Sequence, residues 1–233
     1  QKRVPNVSVR LKHWHHVLAK VIAALFYVVL IYSAYKAIDV VHTISVFEIK
    51  KAFLYGAYTA ARVFILVLLC CVVWVPVGVY LGLNARIADI FQPIIQFLAS
   101  FPPNMLYPLF GSIILYRGYN PDIWLSPLIV LGTQWYILFN IIAGVRSLPG
   151  ELLMMAKSLN LSRWRYYHKV ILPGILPSLM TGVVTAAGGA WNTSIVAEAV
   201  SWKGENIYAK GLGAYIMEAS RQSQSELVCL GVL

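Results

Sequence analysis

Five apolar stretches, each long enough to cross a bilayer as a helix, constrain this chain more than any other feature of its 233 residues. They run from Val17 to Ala37, Ala57 to Leu83, Ile90 to Tyr116, Trp124 to Gly144, and Val170 to about Val200. A hydrocarbon core of about 30 Å asks for about 20 such residues in helix. A further apolar run from Leu227 reads as the start of a sixth span. Backbone amides cannot stay unpaired in lipid, so each stretch is expected to be helical; the alternation that barrel strands need is absent. The expected fold class is all-α, a polytopic membrane helix bundle. With 59% hydrophobic residues, 12% charged residues and a mean hydropathy of +0.70, a water-soluble globule of this length could not cover its apolar surface.

The net charge of +10 is clustered by loop. Lys2, Arg3, Arg10, Lys12 and Lys20 precede or open the first stretch, and Arg146, Lys157, Arg163, Arg165 and Lys169 crowd the segment before the fifth. Arg86 and Asp89 cancel on the same side. Charges on the opposite side nearly balance: Lys36, Asp39, Glu48, Lys50 and Lys51, then Arg117 against Asp122, then Lys203, Lys210 and Arg221 against Glu205, Glu218 and Glu226. The positive-inside rule makes the first side cytoplasmic, which gives a multi-pass protein of a prokaryotic inner membrane with its N-terminal flank in the cytoplasm. Such clustering argues against nucleic acid as a partner and leaves membrane lipid as the surrounding one. The domain reading is a basic flank over 1–16 and a transmembrane domain over 17–233, with a cytoplasmic loop at about 145–170.

No catalytic or metal constellation is apparent. Cys70, Cys71 and Cys229 lack metal-type spacing and read as small hydrophobes. His13, His15 and His16 in HWHH have no acidic or thiol company and read as a solvated or headgroup face. The chain opens on Gln1 with no convincing cleavage site after its first apolar run and stops within LVCLGVL, which reads as a piece of a longer product.

Two charges fall inside spans, Arg62 in the second and Glu198 in the fifth, both toward the outer side. They either pair, line a wet cavity or snorkel to the headgroups. In FPPNMLYP, Pro102, Pro103 and Pro108 remove amide donors and kink the third stretch, so that helix is expected to face the protein interior. Gly78 and Gly82 form a G-x-x-x-G, and Gly182, Ala186, Ala187, Gly188, Gly189 and Ala190 offer another close-packing surface. In WNTSIVAEAV, Asn192, Thr193, Ser194 and Glu198 interrupt the fifth stretch, with Ser194 and Glu198 on one face. Together with Arg62, Pro102, Pro103 and Tyr107 they are candidates for a passage wall; interhelical hydrogen bonding is the plainer alternative.

PGELLMMAKSLNLSRWRYYHKVILPGILP, from Pro149 to Pro177, is the least membrane-like segment. Leu152, Met155, Ala156 and Leu159 recur at i, i+3, i+4 and i+7 and give a short helix one apolar face. Pro149 suits its first turn, Glu151 complements its positive end, and Asn160 can take the left-handed conformation that stops it. Ser162 is placed to cap the next helix, RWRYYHKVIL. A helix of about 11 residues, about 16 Å long, is too short to span, and two methionines at its surface suit a protein groove.

The run AGVRSLPGELLMMAKSLNLSRWRYYHKVILPGILPSLMTG resembles the cytoplasmic signature of membrane subunits of type I ATP-binding cassette (ABC) importers, most closely the nitrate, sulfonate, taurine and bicarbonate branch. SFPPNMLYPLFGSIIL, AWNTSIVAE and KGLGAYI extend the resemblance over roughly residues 55 to 220. The start of the chain and WNTSIVAEAV are also similar to the C-terminal half of fused double permeases. In that family the loop reads E-A-A, three residues, G, nine residues, I-x-L-P. Here Met154, Met155 and Ala156 are followed by Asn160 and then Val170, Leu172 and Pro173, so the spacing is intact while Met154 and Asn160 replace the family's Glu and Gly. The resemblance implies a coupling helix that docks on a nucleotide-binding subunit, with Glu151, Leu152, Met154, Met155, Ala156, Leu159, Asn160 and Arg163 at the contact. It also implies a second permease half and an extracytoplasmic solute-binding protein. No G-x-x-x-x-G-K-[ST] loop occurs, so ATP and Mg are expected on the partner, with no cofactor on this chain and no enzyme activity of its own. The solute expected is small, with a mild leaning to anions. The rival reading is an ion-coupled secondary transporter or channel using Arg62 and Glu198.

Overall fold

The computed structural model describes residues 20–32, 35, 44–202 and 205–232. The flank over 1–16, its histidines, Lys36, Asp39 and Lys203 lie outside the described residues. Of the first stretch, helix α1, Lys20–Tyr32, is described, and every residue of it is exposed. That suits a helix whose whole circumference is apolar and whose solvent is lipid.

Helix α2 is Val46–Leu83, capped by the Ser45 hydroxyl, which accepts from the Phe47 amide at 3.1 Å. It starts at Val46 rather than Ala57, so Glu48, Lys50 and Lys51, expected in a loop, ride on the helix. At about 1.5 Å per residue α2 is about 57 Å long, almost twice a hydrocarbon core of about 30 Å. Its first turns therefore overhang the outer face.

The third stretch is two helices. α3, Ala85–Ala99, ends in a 3-10 turn at Pro103–Leu106, and α4, Tyr107–Arg117, continues after a bend of 65°. The prolines cause the break, as expected from their missing donors. Its expected interior placement is corrected in part. Pro102 is exposed, as are Phe97, Met105 and Leu109, while Pro103 and Tyr107 turn inward. A proline kink frees carbonyls on one side only, so one face of the broken helix is enough to shelter them.

α5, Pro121–Trp124, leads through a turn into α6, Ser126–Arg146; together they make one membrane-length unit. Beyond the C-terminal end of α6 follows α7, Gly150–Ser158. A second segment then rises through α8, Arg163–Tyr166, a π-helical turn at Tyr167–Ile171, and α9, Leu172–Gly174. It bends by 67° into α10, Leu176–Ala197. Among the described residues α2 and the α5–α6 unit are long and apolar enough to cross a membrane alone, and counting each bent pair as one broken span brings the number to four.

The fifth stretch was expected to stay helical to about Val200, but it stops at Ala197. β1, Ala199–Trp202, pairs antiparallel with β2, Glu205–Tyr208, with Val200 opposite Ile207. The hairpin wins because Val200 and Ile207 are buried against Ile114, Leu125 and Leu128, and because the Ala209 amide donates to the Glu198 carbonyl at 3.0 Å. α11, Leu212–Arg221, and α12, Ser225–Val232, complete the described chain. α12 coincides with the expected start of a sixth span. The structure is thus a helix bundle with one small outer hairpin.

α6 runs between α2 and α10, and Ile137, Leu138 and Ile141 at its centre are fully buried. Small residues permit this closeness. Gly78 faces Ile141, and a Cβ on Gly82 would come within 2.6 Å of Val145. On the other side Gly144 meets Ser178 and Gly182 meets Asn140. Without a hydrophobic drive between helices in lipid, such contacts hold the bundle together by dispersion.

Candidate functional site: a polar clasp and a short exposed helix

Arg62 stands about 31 Å before the inner end of α2 at about 1.5 Å per residue, one hydrocarbon thickness away. It therefore sits at the membrane boundary far from α7, where Glu198 also lies because it ends α10. The two pair directly: one guanidinium nitrogen of Arg62 donates to Glu198 Oε1. A second nitrogen reaches Asp122 Oδ1 and the Lys210 carbonyl, each at 3.1 Å.

The Glu198 carboxylate is 1% exposed and surrounded by donors. Thr59 Oγ1 lies 2.8 and 2.9 Å from its two oxygens, Ser194 Oγ donates at 3.1 Å, and the Gly213 amide donates to Oε2 at 2.8 Å. Thr59 also accepts from the Leu212 amide at 2.8 Å, and Asp122 accepts from the Lys210 amide at 2.6 Å. A buried charge survives only when paired and fully hydrogen-bonded, and both conditions are met here. The clasp ties α2, α5, α10, the end of β2 and the start of α11 into one outer cap.

Local sequence explains each arm. Asn120 accepts from the Asp122 amide at 2.9 Å and starts α5, which points Asp122 inward. In KGLG, a Cβ on Gly211 would overlap the Glu198 carboxyl, and one on Gly213 would overlap the Ile195 carbonyl. Both glycines are there for closeness rather than for backbone conformation.

The remaining candidates for a passage wall divide. Thr193 and Pro103 converge on Gly132, whose Cβ position lies 3.2 Å from Pro103 Cγ and 3.5 Å from Thr193 Oγ1. Tyr107 packs between the main core and the hairpin's hydrophobic cluster, and Asn192 is exposed. Ser194 is sealed within the clasp. Thr59, Asp122 and the Gly213 amide were not picked out from the sequence. Thr59 carries no distinguishing pattern, whereas Asn120-Pro121-Asp122 is a readable helix start and Gly-x-Gly a readable point of close approach.

At the opposite end of the bundle from the clasp, α7 ends where Asn160 takes the left-handed conformation at φ 46°. The helix starts at Gly150, one residue beyond Pro149, and Ser162 occupies the cap position of α8 without a side-chain cap bond. Of its apolar positions, Ala156 faces inward and Leu153 packs toward the core, whereas Leu152, Met155 and Leu159 face out. Met155 is 65% exposed. Glu151, Met154, Met155, Ser158 and Leu159 line a shallow open depression. Arg163 is exposed just beyond it. Two acidic residues counted in the loop charge balance have distant partners: Asp89 pairs with Arg146 at 2.9 Å, and Asp122 with Arg62 at 3.1 Å. Cys70 and Cys71 are free thiols within α2, and no group of three or more metal-type ligands occurs among the described residues.

Bent and straight spans, a polar cap at one end and a short helix with exposed methionines at the other define a multi-pass membrane helix bundle. Residues 74–233 match the family described as binding-protein-dependent transport system inner membrane component, and the chain belongs to that family. Similar curated proteins include the bicarbonate transport system permease protein CmpB of Synechococcus elongatus, 29% identical over 71% of this chain and 56% of the relative. The nitrate import permease protein NrtB of Leptolyngbya laminosa is 27% identical over 76% of this chain and 60% of its own length. The taurine transport system permease protein TauC of Escherichia coli is 29% identical over 68% and 54% respectively. The chain thus spans about half the length of the curated relatives it matches. In fold it is similar to a chain of the MetNI methionine ABC transporter in an inward-facing conformation, with a TM-score of 0.65 at 18% identity, over 81% of this chain and 92% of the other.

Proposed function

We propose that the chain is one permease half of an ATP-driven importer in a prokaryotic cytoplasmic membrane, and that α7 couples it to a separate ATPase subunit. The observation that carries this reading is the outward set of Leu152, Met155 and Leu159 on a cytoplasmic helix that the bundle itself leaves uncovered. Residues 1–16 form the cytoplasmic flank, and 17–233 form the permease domain with its coupling loop at about 145–170. A second permease half completes the pathway, and an extracytoplasmic binding protein delivers the solute. The relatives named for bicarbonate, nitrate and taurine support a small anion as that solute.

The mechanism follows from connectivity. ATP and Mg are held by the partner, whose closure displaces α7 and, through Asn160, the arm from Arg163 to Gly174. Ile171 and Ile175 are fully buried at the 67° bend, so the arm cannot move without carrying the inner end of α10. α10 then tilts Asn192 and Thr193 past Pro103 and Tyr107, alternately exposing the pathway to either side. Moving such an equilibrium from 1:99 to 99:1 takes about 5.5 kcal/mol of differential binding. Arg62 is held by both Glu198 and Asp122 within the clasp, a structural use that the ion-coupled alternative does not require.

Introducing Leu152→Glu with Met155→Glu places two carboxylates at the apolar contact. Desolvating them without partners costs several kcal/mol, so co-purification of the ATPase subunit should fall by at least about tenfold and solute-stimulated ATP hydrolysis should disappear. Undiminished co-purification and stimulation would reject the assignment of α7.

A further inference from the structure

The bundle has two different faces at the same depth. The outward side of α2 exposes Phe64, Ile65, Leu68, Leu69, Val72 and Val73, an unbroken apolar surface suited to lipid. The face on which α3, α6 and α10 meet is of another kind. On α3, Ala88 and Ile95 are buried in one cluster with Leu138 and Ile142 of α6. At about 100° per residue, Ile90, Ile94, Phe97 and Leu98 lie to one side of that contact, and Asp89, Gln92, Gln96 and Ser100 to the other. The start of α3 meets the end of α6 through Asp89 and Arg146, so the two helices run in opposite directions. Right-handed winding then turns the polar flank of α3 away from α2, toward Tyr136 and Asn140 of α6.

α10 continues the same surface. Tyr136 and Asn140 lie 3.0 Å from the Cβ positions of Gly189 and Gly182, and beside those glycines Thr181, Thr185, Gly188 and Asn192 are exposed. Some of these polar groups are satisfied locally. Thr181 and Thr185 return their hydroxyls to their own helix at 3.0 and 2.8 Å, and the Asn140 amide donates to the Tyr136 carbonyl at 2.8 Å. Gln96 and Asn192 are not: both side chains are exposed, with no hydrogen-bond partner among the described residues. Gln96 stands about 16 Å along α3 from its start at about 1.5 Å per residue, near the middle of a hydrocarbon core of about 30 Å. A primary amide turned to lipid at that depth would leave its donors and acceptor unmet. Beyond the Asp89–Arg146 pair, the described face carries no charge as far as Asn192.

We propose that this three-helix face is the water-lined wall of the passage, uncharged through the membrane's thickness, with Gln96 near its middle as a side chain that passing solute meets. This deepens the permease reading, on which it rests: α3 and α6 join a pathway so far drawn between Thr193 and Pro103, and the second permease half supplies the opposite wall. Water solvates the amides of Gln96 and Asn192, which lipid could not do. With no fixed charge to hold it part-way, the solute is released as readily as it is admitted.

The test labels thiols in the complete permease complex in lipid nanodiscs with the water-soluble reagent 2-sulfonatoethyl methanethiosulfonate. Modification is read position by position by peptide mass spectrometry, so the natural Cys70, Cys71 and Cys229 can stay. Val72→Cys is the matched control, about 16 Å from the end of α2 at about 1.5 Å per residue and on its lipid face. Because the reagent attacks a hydrated thiolate, Gln96→Cys and Thr185→Cys should each react at least about tenfold faster than Val72→Cys, with ATP bound or without it. A second pair of variants reads the same difference without a label. Gln96→Glu should keep the wild-type monodisperse yield, since water can solvate its carboxylate, and Val72→Glu should lose most of it. The proposal is overturned if either Gln96→Cys or Thr185→Cys reacts as slowly as Val72→Cys in both nucleotide states, or if Gln96→Glu loses as much yield as Val72→Glu. It is also overturned if slow labelling comes with a disulfide from position 96 to a second polypeptide, which would make the face a dry subunit contact. Slow labelling with intact α7 coupling sinks the wall alone; fast labelling with failed coupling sinks the permease reading alone.

Discussion

Replacing Glu198 with alanine is expected to cost about 3–5 kcal/mol, the usual penalty for stranding one member of a buried ion pair. Arg62, only 13% exposed, would lose its closest counter-ion, and Thr59, Ser194 and the Gly213 amide would each lose an acceptor at once. The thermal unfolding midpoint of the detergent-solubilised chain reads the effect. Glu198→Gln should be milder, because an amide oxygen still accepts from Gly213 and Ser194. The Arg62→Ala, Glu198→Ala double variant should be less destabilised than the sum of its singles, since no charge is then left unpaired in that bond. A midpoint unchanged in Glu198→Ala would mean that the clasp contributes nothing to the fold.

Gly213→Ala is expected to be nearly as severe for a different reason. The added Cβ would overlap the carbonyl of Ile195, a backbone atom that no rotamer change can move. α11 must then shift away from α10, which breaks the Gly213–Glu198 bond and opens the outer cap. Gly56→Ala, in the overhanging part of α2, is the matched control: nothing lies within 4 Å of its Cβ position. A helix-interior glycine replaced by alanine gains about 0.5–1 kcal/mol. Monodisperse yield on size exclusion should collapse for Gly213→Ala and hold or improve for Gly56→Ala. Equal yields would show that the α10–α11 contact is loose.

The contrast between those glycines also shows what a single sequence can convey. Apolar length located the spans because lipid leaves the backbone no alternative, and Pro102 and Pro103 marked the break in the third for the same reason. The overhang of α2 was hidden: Glu48, Lys50 and Lys51 look like the end of a membrane segment, yet the helix continues because Lys51 and Tyr55 lie against Tyr215 on α11. The hairpin was hidden too, since Ala199 and Val200 extend an apolar run and only Lys203-Gly204 hints at a turn. Ser194 and Glu198 were legible as partners from their spacing of four residues. Asp122 was not, because long-range pairing leaves no local trace. On α7, periodicity identified Leu152, Met155 and Leu159 but miscast Ala156, whose small side chain lets the helix rest on the bundle.

Photo-crosslinking from position 155 is the most direct measurement of what α7 touches. With a photoreactive amino acid in place of Met155, native membranes irradiated in the presence of ATP should yield one dominant adduct. Its mass should equal that of this chain joined to an ATP-hydrolysing polypeptide, and it should fade when Leu152→Glu is added. Adducts with phospholipid alone, in membranes where transport is running, would contradict the role assigned to that helix.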